Sequence, residues 1–117
     1  MKENIFDLIE RTANLLRCET RSAGQALGLQ PIQQEALYYL AHCNRYSDTA
    51  IAVSEYLGLT KGTVSQTLKV LENKGLIERH KDSKDKRITH LKVSELGGDF
   101  LKKVSPPARF EIAIKQL

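Results

Sequence analysis

The sequence has 117 residues, of which 41% are hydrophobic and 27% are charged, as in an ordinary globular protein rather than a disordered one. No apolar run approaches the roughly 20 residues that span a bilayer, and the N-terminus lacks the apolar core of a signal peptide. A cytoplasmic protein without a membrane partner is therefore expected. Cys18 and Cys43 have neither metal-site spacing nor the density of a disulfide scaffold, so no metal or cofactor is predicted.

The net charge of +4 is unevenly distributed along the chain. Residues 60–92 hold nine basic and four acidic residues, a balance of +5, whereas the rest of the chain balances to −1. A concentrated basic stretch is the electrostatic footprint of an element that binds a polyanion, although a solvated basic surface gives the same pattern.

Residues 3–22 predict a long N-terminal helix. Its apolar side chains occupy about half of the helical circumference, which is more than one neighbouring helix covers. Part of this apolar arc is therefore expected at a homodimer interface, namely Ile5, Leu8, Ile9 and Leu16. Gly24 and Gly28 interrupt the helical pattern.

A second helix is predicted over residues 31–43, with Leu37 at the edge of its apolar face. Cys43 belongs to that face and is expected to be a buried structural thiol, whereas Cys18 is expected to be an incidental exposed one. Asp48 or Thr49 can cap a short third helix that runs to residue 57.

A helix-turn-helix is predicted where two short helices are joined by residues 58–60. Gly58 suits the left-handed residue that ends the third helix, and Thr60 caps a fourth helix over residues 61–73. The fourth helix turns an apolar seam inward, made of Val64, Leu68 and Leu71.

Beyond Gly75 the hydrophobic period changes from 3.6 residues to 2, which predicts a hairpin. Residues 76–80 and 87–93 form its strands, and residues 81–86 form a charged tip, the wing. The predicted fold is mainly α (α+β), a winged helix-turn-helix with a two-stranded β wing.

The last segment predicts another helix, which Ser94 caps. The proline pair at residues 106–107 interrupts it, and residues 108–117 resume a helical rhythm. The whole chain is expected to be one domain, in which residues 1–30 form the N-terminal helix and turn, residues 31–93 form the core with the helix-turn-helix and wing, and residues 94–117 form a C-terminal helix.

These motifs resemble the MarR family of bacterial regulators. Residues 59–77 are similar to the recognition helix of the family and its lead-in to the wing. Asp85-Lys86-Arg87, followed by Ser94 and Gly97, is similar to the wing signature. The resemblance covers roughly residues 5–104 and implies a homodimer that binds a pseudo-palindromic operator in double-stranded DNA.

The resemblance also implies repression of a promoter, with release by a small-molecule effector or another signal, although the residues do not distinguish a repressor from an activator. Family members usually close the dimer with the first helix and a long pair of C-terminal helices. This sequence ends at Leu117, about where the final helix would begin. Either the sequence is truncated or the dimer uses a reduced interface.

The start of the fourth helix is expected to enter a major groove. Gln pairs bidentately with adenine, Thr contacts the thymine methyl group, and Lys reaches guanine or phosphate. The residues assigned to DNA on this helix are Thr60, Lys61, Gly62, Thr63, Ser65, Gln66 and Lys69.

In the wing, Asp85 is expected to orient the Arg87 guanidinium for a narrow minor groove, with Lys84 and Lys86 adding positive charge. A surface salt bridge that contributes little is the alternative for this pair.

An enzyme is not predicted, because the sequence offers no nucleophile–base pair, phosphate loop or paired carboxylates. A winged-helix module that binds another protein instead of DNA is the alternative function. The basic stretch and the wing motif argue against it.

Overall fold

The computed structural model describes residues 4–104, and this part of the chain contains five helices and one two-stranded antiparallel sheet. The helices are α1 (Ile5–Ala26), α2 (Pro31–His42), α3 (Ala50–Leu57), α4 (Lys61–Asn73) and α5 (Glu95–Lys103), and the strands are β1 (Ile77–Lys81) and β2 (Thr89–Val93). This arrangement confirms the predicted winged helix-turn-helix. The predicted break at residues 106–107 and the helix over 108–117 lie outside the described residues. No described helix is both long and apolar enough to cross a membrane.

Helix α1 is longer than the sequence predicted, because Gly24 does not end it. Asn4 caps its start by accepting a hydrogen bond from the Asp7 amide at 2.9 Å, and the helix continues to Ala26. A Cβ atom on Gly24 would overlap the side-chain amide of Gln34 on α2. Glycine therefore serves the close approach of two helices here, and the expected break was wrong.

The core lies where α2 and α4 meet, with α3 and β2 closing it. The predicted seam of α4 is buried, and Leu37 of α2 is also fully buried rather than at the edge of a face, because α1, α3 and α4 all pack around that helix. Cys43 is half-buried, not buried as expected, because α2 ends before it at His42. Cys18 is exposed, as expected.

The turn between α3 and α4 contains the left-handed glycine that the sequence predicted. Gly58 has φ 67°, the left-handed conformation that glycine adopts without steric cost. At the other end of α3 the cap is Thr49, whose hydroxyl accepts from the Ala52 amide at 3.3 Å. Asp48, the other candidate cap, is buried against the hairpin instead.

The hairpin pairs β1 with β2 in a register that runs from Ile77 opposite Val93 to Lys81 opposite Thr89. The second strand starts two residues later than predicted, because the Ile88 amide donates to the Asp85 carbonyl at 3.0 Å and closes a turn over residues 85–88. The wing tip, defined here as residues 82–88, is therefore larger than residues 81–86. Ser94 caps α5 as predicted.

Candidate nucleic-acid interface

Helix α4 presents one polar face to solvent. All seven residues that the sequence assigned to DNA at this helix are exposed, from Thr60 to Lys69. The opposite face is held by Leu68 and Leu71, which are completely inaccessible. The packing of α4 therefore leaves its polar side chains available to a ligand.

Thr60 has a structural task at the start of α4. Its hydroxyl accepts from the Thr63 amide at 3.3 Å and lies 3.0 Å from the Thr63 hydroxyl. Thr67 was missed as a core residue. It is buried, and its hydroxyl donates to the Thr63 carbonyl at 2.8 Å, so the polar group is satisfied inside the protein.

The wing tip presents Arg87 in a fixed orientation. Its Nε and Nη2 atoms each lie 3.1 Å from an oxygen of Asp85, and its backbone amide donates to the same carboxylate at 3.0 Å. The Arg87 side chain is nevertheless 90% exposed. This confirms the predicted pairing, although both residues lie in the turn and not on the strand.

Each residue of this pair stabilises the charged form of the other. Hydrogen bonds from the Arg87 side chain and backbone lower the pKa of Asp85, and the hydrogen bond to Asp85 raises the pKa of Arg87. Lys84 and Lys86 are exposed beside them. The tip therefore carries a positive surface with one oriented guanidinium.

Sequence reasoning missed the polar cluster at the base of the wing. The ring of His90 on β2 lies between Asp48 and Asp82, with Nδ1 2.6 Å from Asp48 Oδ1 and Nε2 2.7 Å from Asp82 Oδ1. Lys92 Nζ lies 2.8 Å from the second oxygen of Asp48, whose carbonyl accepts from the Leu91 amide at 2.8 Å. No spacing in the sequence signals contacts between residues about 40 positions apart.

The pKa values in this cluster follow from its contacts. Burial acts to raise the pKa of Asp48, but hydrogen bonds from Lys92 and His90 outweigh it and lower the pKa. The His90 hydrogen bond, with the amides of Asp85 and Lys84, lowers the pKa of Asp82 to about 2. Hydrogen bonds to Asp82 and then Asp48 raise the pKa of His90.

The four residues predicted for a dimer interface differ in their exposure within the single chain. Within this one chain Ile5, Leu8 and Ile9 are 66%, 46% and 60% exposed. Leu16 is half-buried and lines a cavity of about 860 Å³ between α1, α2, α3 and α5. Tyr38 also lines this cavity. The cavity itself was not predicted from the sequence.

Comparison with known proteins agrees with this architecture. A family model described as the MarR family matches residues 27–88. The transcriptional repressor MprA of Escherichia coli is 31% identical over 83 residues, which are 71% of this chain and 47% of MprA. The chain thus spans about half the length of the curated relatives that it matches.

Solved structures share this fold. A transcriptional regulator of Thermotoga maritima, Tm0710, has a TM-score of 0.78 and 25% identity over 93% of this chain and 74% of its own. A DNA complex of MepR from S. aureus has a TM-score of 0.70 and 20% identity over 99% of this chain and 86% of MepR.

Proposed function

This chain belongs to the MarR family of transcriptional regulators, which are not enzymes, and from that premise we propose that it binds a specific double-stranded DNA operator. The observation that carries the proposal is the pair of exposed basic and polar elements, α4 and the wing tip. Arg87, 90% exposed yet held by Asp85, has the geometry of a side chain oriented for an external anion. MepR, which shares this fold, was solved in complex with DNA, and this supports DNA as the ligand.

Each element has its own part in the proposal. The residues of α4 that enter the major groove are Lys61, Gly62, Thr63, Ser65, Gln66 and Lys69, with Thr60 holding the start of the helix. The wing tip adds Arg87, Lys84 and Lys86 at phosphates and the minor groove, with Asp85 as the orienting group.

Selection of bound sequences from random duplex DNA tests the proposal. We expect enrichment of a pseudo-palindrome whose half-sites are about one helical turn apart, because two recognition helices of a symmetric dimer read them. Enrichment of no sequence, with binding that salt abolishes uniformly, would contradict specific binding. No detectable binding to DNA at any salt concentration would favour the interaction-module alternative.

We propose a homodimer in which a second copy covers the apolar arc of α1. Ile5, Phe6 and Ile9 are at least 60% exposed in the single chain, an unusual apolar surface for an isolated protein. Leu8 and Leu16 lie at or near the same contact. Light scattering of the parent at micromolar concentration should give twice the mass of one chain.

A charged substitution in this arc should separate the two copies. Ile9→Asp is expected to give monomers, because a carboxylate would be buried without a partner, whereas Glu10→Gln next to it is the matched control. A folded Ile9→Asp that remains dimeric would place the interface elsewhere.

We propose repression and release by a small-molecule effector, acting in the cytoplasm where the DNA is. MprA, the curated relative, is named a transcriptional repressor. The cavity of about 860 Å³ is of a size that holds a small organic ligand. Its wall combines Leu16 and Tyr38 with three basic side chains and one acid, namely Arg17, Arg21, Lys102 and Glu35, and Glu35 pairs with Arg21.

The composition of the wall favours an aromatic anion. Benzoate is expected to raise the melting temperature and weaken operator binding, while benzyl alcohol, its neutral counterpart, should do so less. Equal effects of the two compounds would remove the argument from charge.

A further inference from the structure

The side chain of His90 connects the wing to the loop that precedes the helix-turn-helix. Asp48 precedes α3, and Asp82 opens the wing tip, so the ring of His90 connects two separate parts of the fold. The connection continues to the tip. Asp82 Oδ2 accepts from the amides of Lys84 and Asp85, both at 2.9 Å, and Asp85 holds Arg87.

The geometry specifies the charge of the ring. Carboxylate oxygens accept hydrogen bonds and do not donate them, so each ring nitrogen of His90 must carry a proton to bond as observed. An imidazole with a proton on both nitrogens is positively charged. A neutral ring has a single N–H and would keep one hydrogen bond, while its other nitrogen would face a carboxylate with a lone pair.

We propose that His90, in its doubly protonated form, is a positioning residue for DNA binding that holds the wing tip against the helix-turn-helix and so presents Arg87 beside α4. The inference rests on the proposed function and deepens it, because it makes DNA affinity depend on the proton occupancy of one side chain. His90 does not contact DNA in this proposal. It acts through Asp82 and Asp85.

The groups around His90 come from every neighbouring element. Lys92 on the same strand bonds to Asp48, and on β1 His80 lies opposite His90 in the register, with Glu78 opposite Lys92. From α2, the Tyr39 hydroxyl donates to the Ser47 carbonyl at 2.7 Å, and burial raises its pKa, so it stays neutral.

The contact is formed by Asp48, His90 and Asp82, and of these three residues only His90 changes charge near neutral pH. Asp48 and Asp82 have lowered pKa values and stay ionised, while the pKa of His90 is raised above its ordinary value of about 6.5. A group with a raised pKa contributes its stabilisation in full below the ordinary pKa. That contribution disappears as pH rises through the raised value, so DNA affinity should fall toward alkaline pH.

The test is the pH profile of operator affinity for the full chain, from about pH 6 to about pH 9 at constant ionic strength. Affinity of the parent should fall about tenfold for each unit by which DNA binding raises the pKa of His90, because the coupling is reciprocal. His90→Gln should bind more weakly than the parent at the acidic end and show no such fall. The matched control is His80→Gln, which should keep the parental profile.

A second variant should shift the pH profile of operator affinity without abolishing it. Asp82→Asn replaces a carboxylate with a group that can donate to a neutral ring, so the midpoint of the fall should shift to lower pH. A role of His90 that was merely structural would not shift with Asp82. A parent without pH dependence, or a folded His90→Gln with the parental profile, would overturn the inference.

A measurement without DNA separates this inference from the proposed function. Nuclear magnetic resonance of the free protein should show both ring nitrogens of His90 protonated. The protection factor of the Leu91 amide, which corrects for the intrinsic base-catalysed exchange rate, should decrease as the ring loses its proton. A ring with one protonated nitrogen at acidic pH would refute the contact itself. If the contact is present but the parent binds no DNA, the proposed function fails and the positioning role is overturned with it.

Discussion

Helix α4 and the wing tip are fixed to the protein by different kinds of contact. Val64 and Leu68 hold α4 by apolar packing, with 2% and 0% of their surface exposed. The strands of the wing also contribute core residues, Ile77 and Leu91, but its tip is connected to the loop before α3 by ions and hydrogen bonds, through Asp82, His90 and Asp48. Apolar packing depends little on pH and salt, whereas ionic contacts depend on both. The position of α4 should therefore be robust and that of the wing tip adjustable.

The difference extends to the side chains proposed to contact DNA. Gln66 on α4 is exposed, so its amide is available to read a base edge. Arg87 in the wing is already bonded to Asp85, so its direction is set before any ligand arrives. Base reading is thus the expected task of α4, and affinity is the expected task of the wing.

The largest effect should come from the packing that holds α4. Leu68→Ala is expected to lower the free energy of unfolding by about 2–5 kcal/mol, because it leaves a cavity in a fully buried site. Urea denaturation measures this decrease. Exposed Ser65→Ala, one turn away, should stay within about 0.5 kcal/mol of the parent. Equal effects of the two substitutions would contradict the apolar anchoring of α4.

Gln66→Ala tests whether α4 reads bases. It should cost about 1–3 kcal/mol of binding free energy on the selected operator and flatten the preference at one position in each half-site. The measurement is affinity across operators that vary at each position. Asn73→Ala, at the C-terminal end of the same helix, is the control. Uniform weakening on all sequences would assign Gln66 to the DNA backbone instead.

Arg87→Ala tests the wing. It should weaken binding evenly across related sequences and lower the salt dependence of log K by roughly one unit for each phosphate that the guanidinium no longer neutralises. Asp85→Ala should weaken binding less, because the guanidinium remains but is no longer oriented. Thermal unfolding must first show that each variant folds, since this pair also organises the turn.

The control for the wing is a cation on another exposed surface. Arg45→Ala removes one positive charge from the loop before α3, where Arg45 stacks on Tyr46. It should leave the salt dependence almost unchanged. An Arg87→Ala variant that matches Arg45→Ala would show that the wing adds only general charge.

Much of the fold was predictable because its signals are local. The caps at Thr60 and Ser94 and the left-handed Gly58 depend on residues within a few positions, and the structure confirms them. The pairing of Asp85 with Arg87 was predictable for the same reason.

The errors concern contacts between distant parts of the chain. Gly24 looked like a helix break because only the approach of Gln34 reveals why glycine is needed there. The Asp48–His90 contact joins residues 42 positions apart and is visible only after the hairpin has packed. The sequence therefore predicted the helix caps and the Asp85–Arg87 pair better than the contacts that hold the wing tip.

The smallest effect concerns the first turn of α4, where Gly62 has no heavy atom within 4 Å of the place of a Cβ. Gly62→Ala should raise the stability of the free protein by about 0.4–1 kcal/mol, because alanine favours the helix and restricts the unfolded chain. Gly98→Ala in α5 also points into open space and should give a similar gain. Thermal unfolding measures both gains.

The two alanine variants should differ only when DNA is present. If the start of α4 lies against the DNA backbone, the added methyl group of Gly62→Ala has no room and operator affinity falls, while Gly98→Ala binds like the parent. A decrease confined to Gly62→Ala must then arise at the DNA, because the protein alone accommodates both methyl groups. If both variants gain stability and bind equally well, α4 does not approach DNA closely at residue 62. Base contacts would then come from farther along the helix, at Gln66 and Lys69.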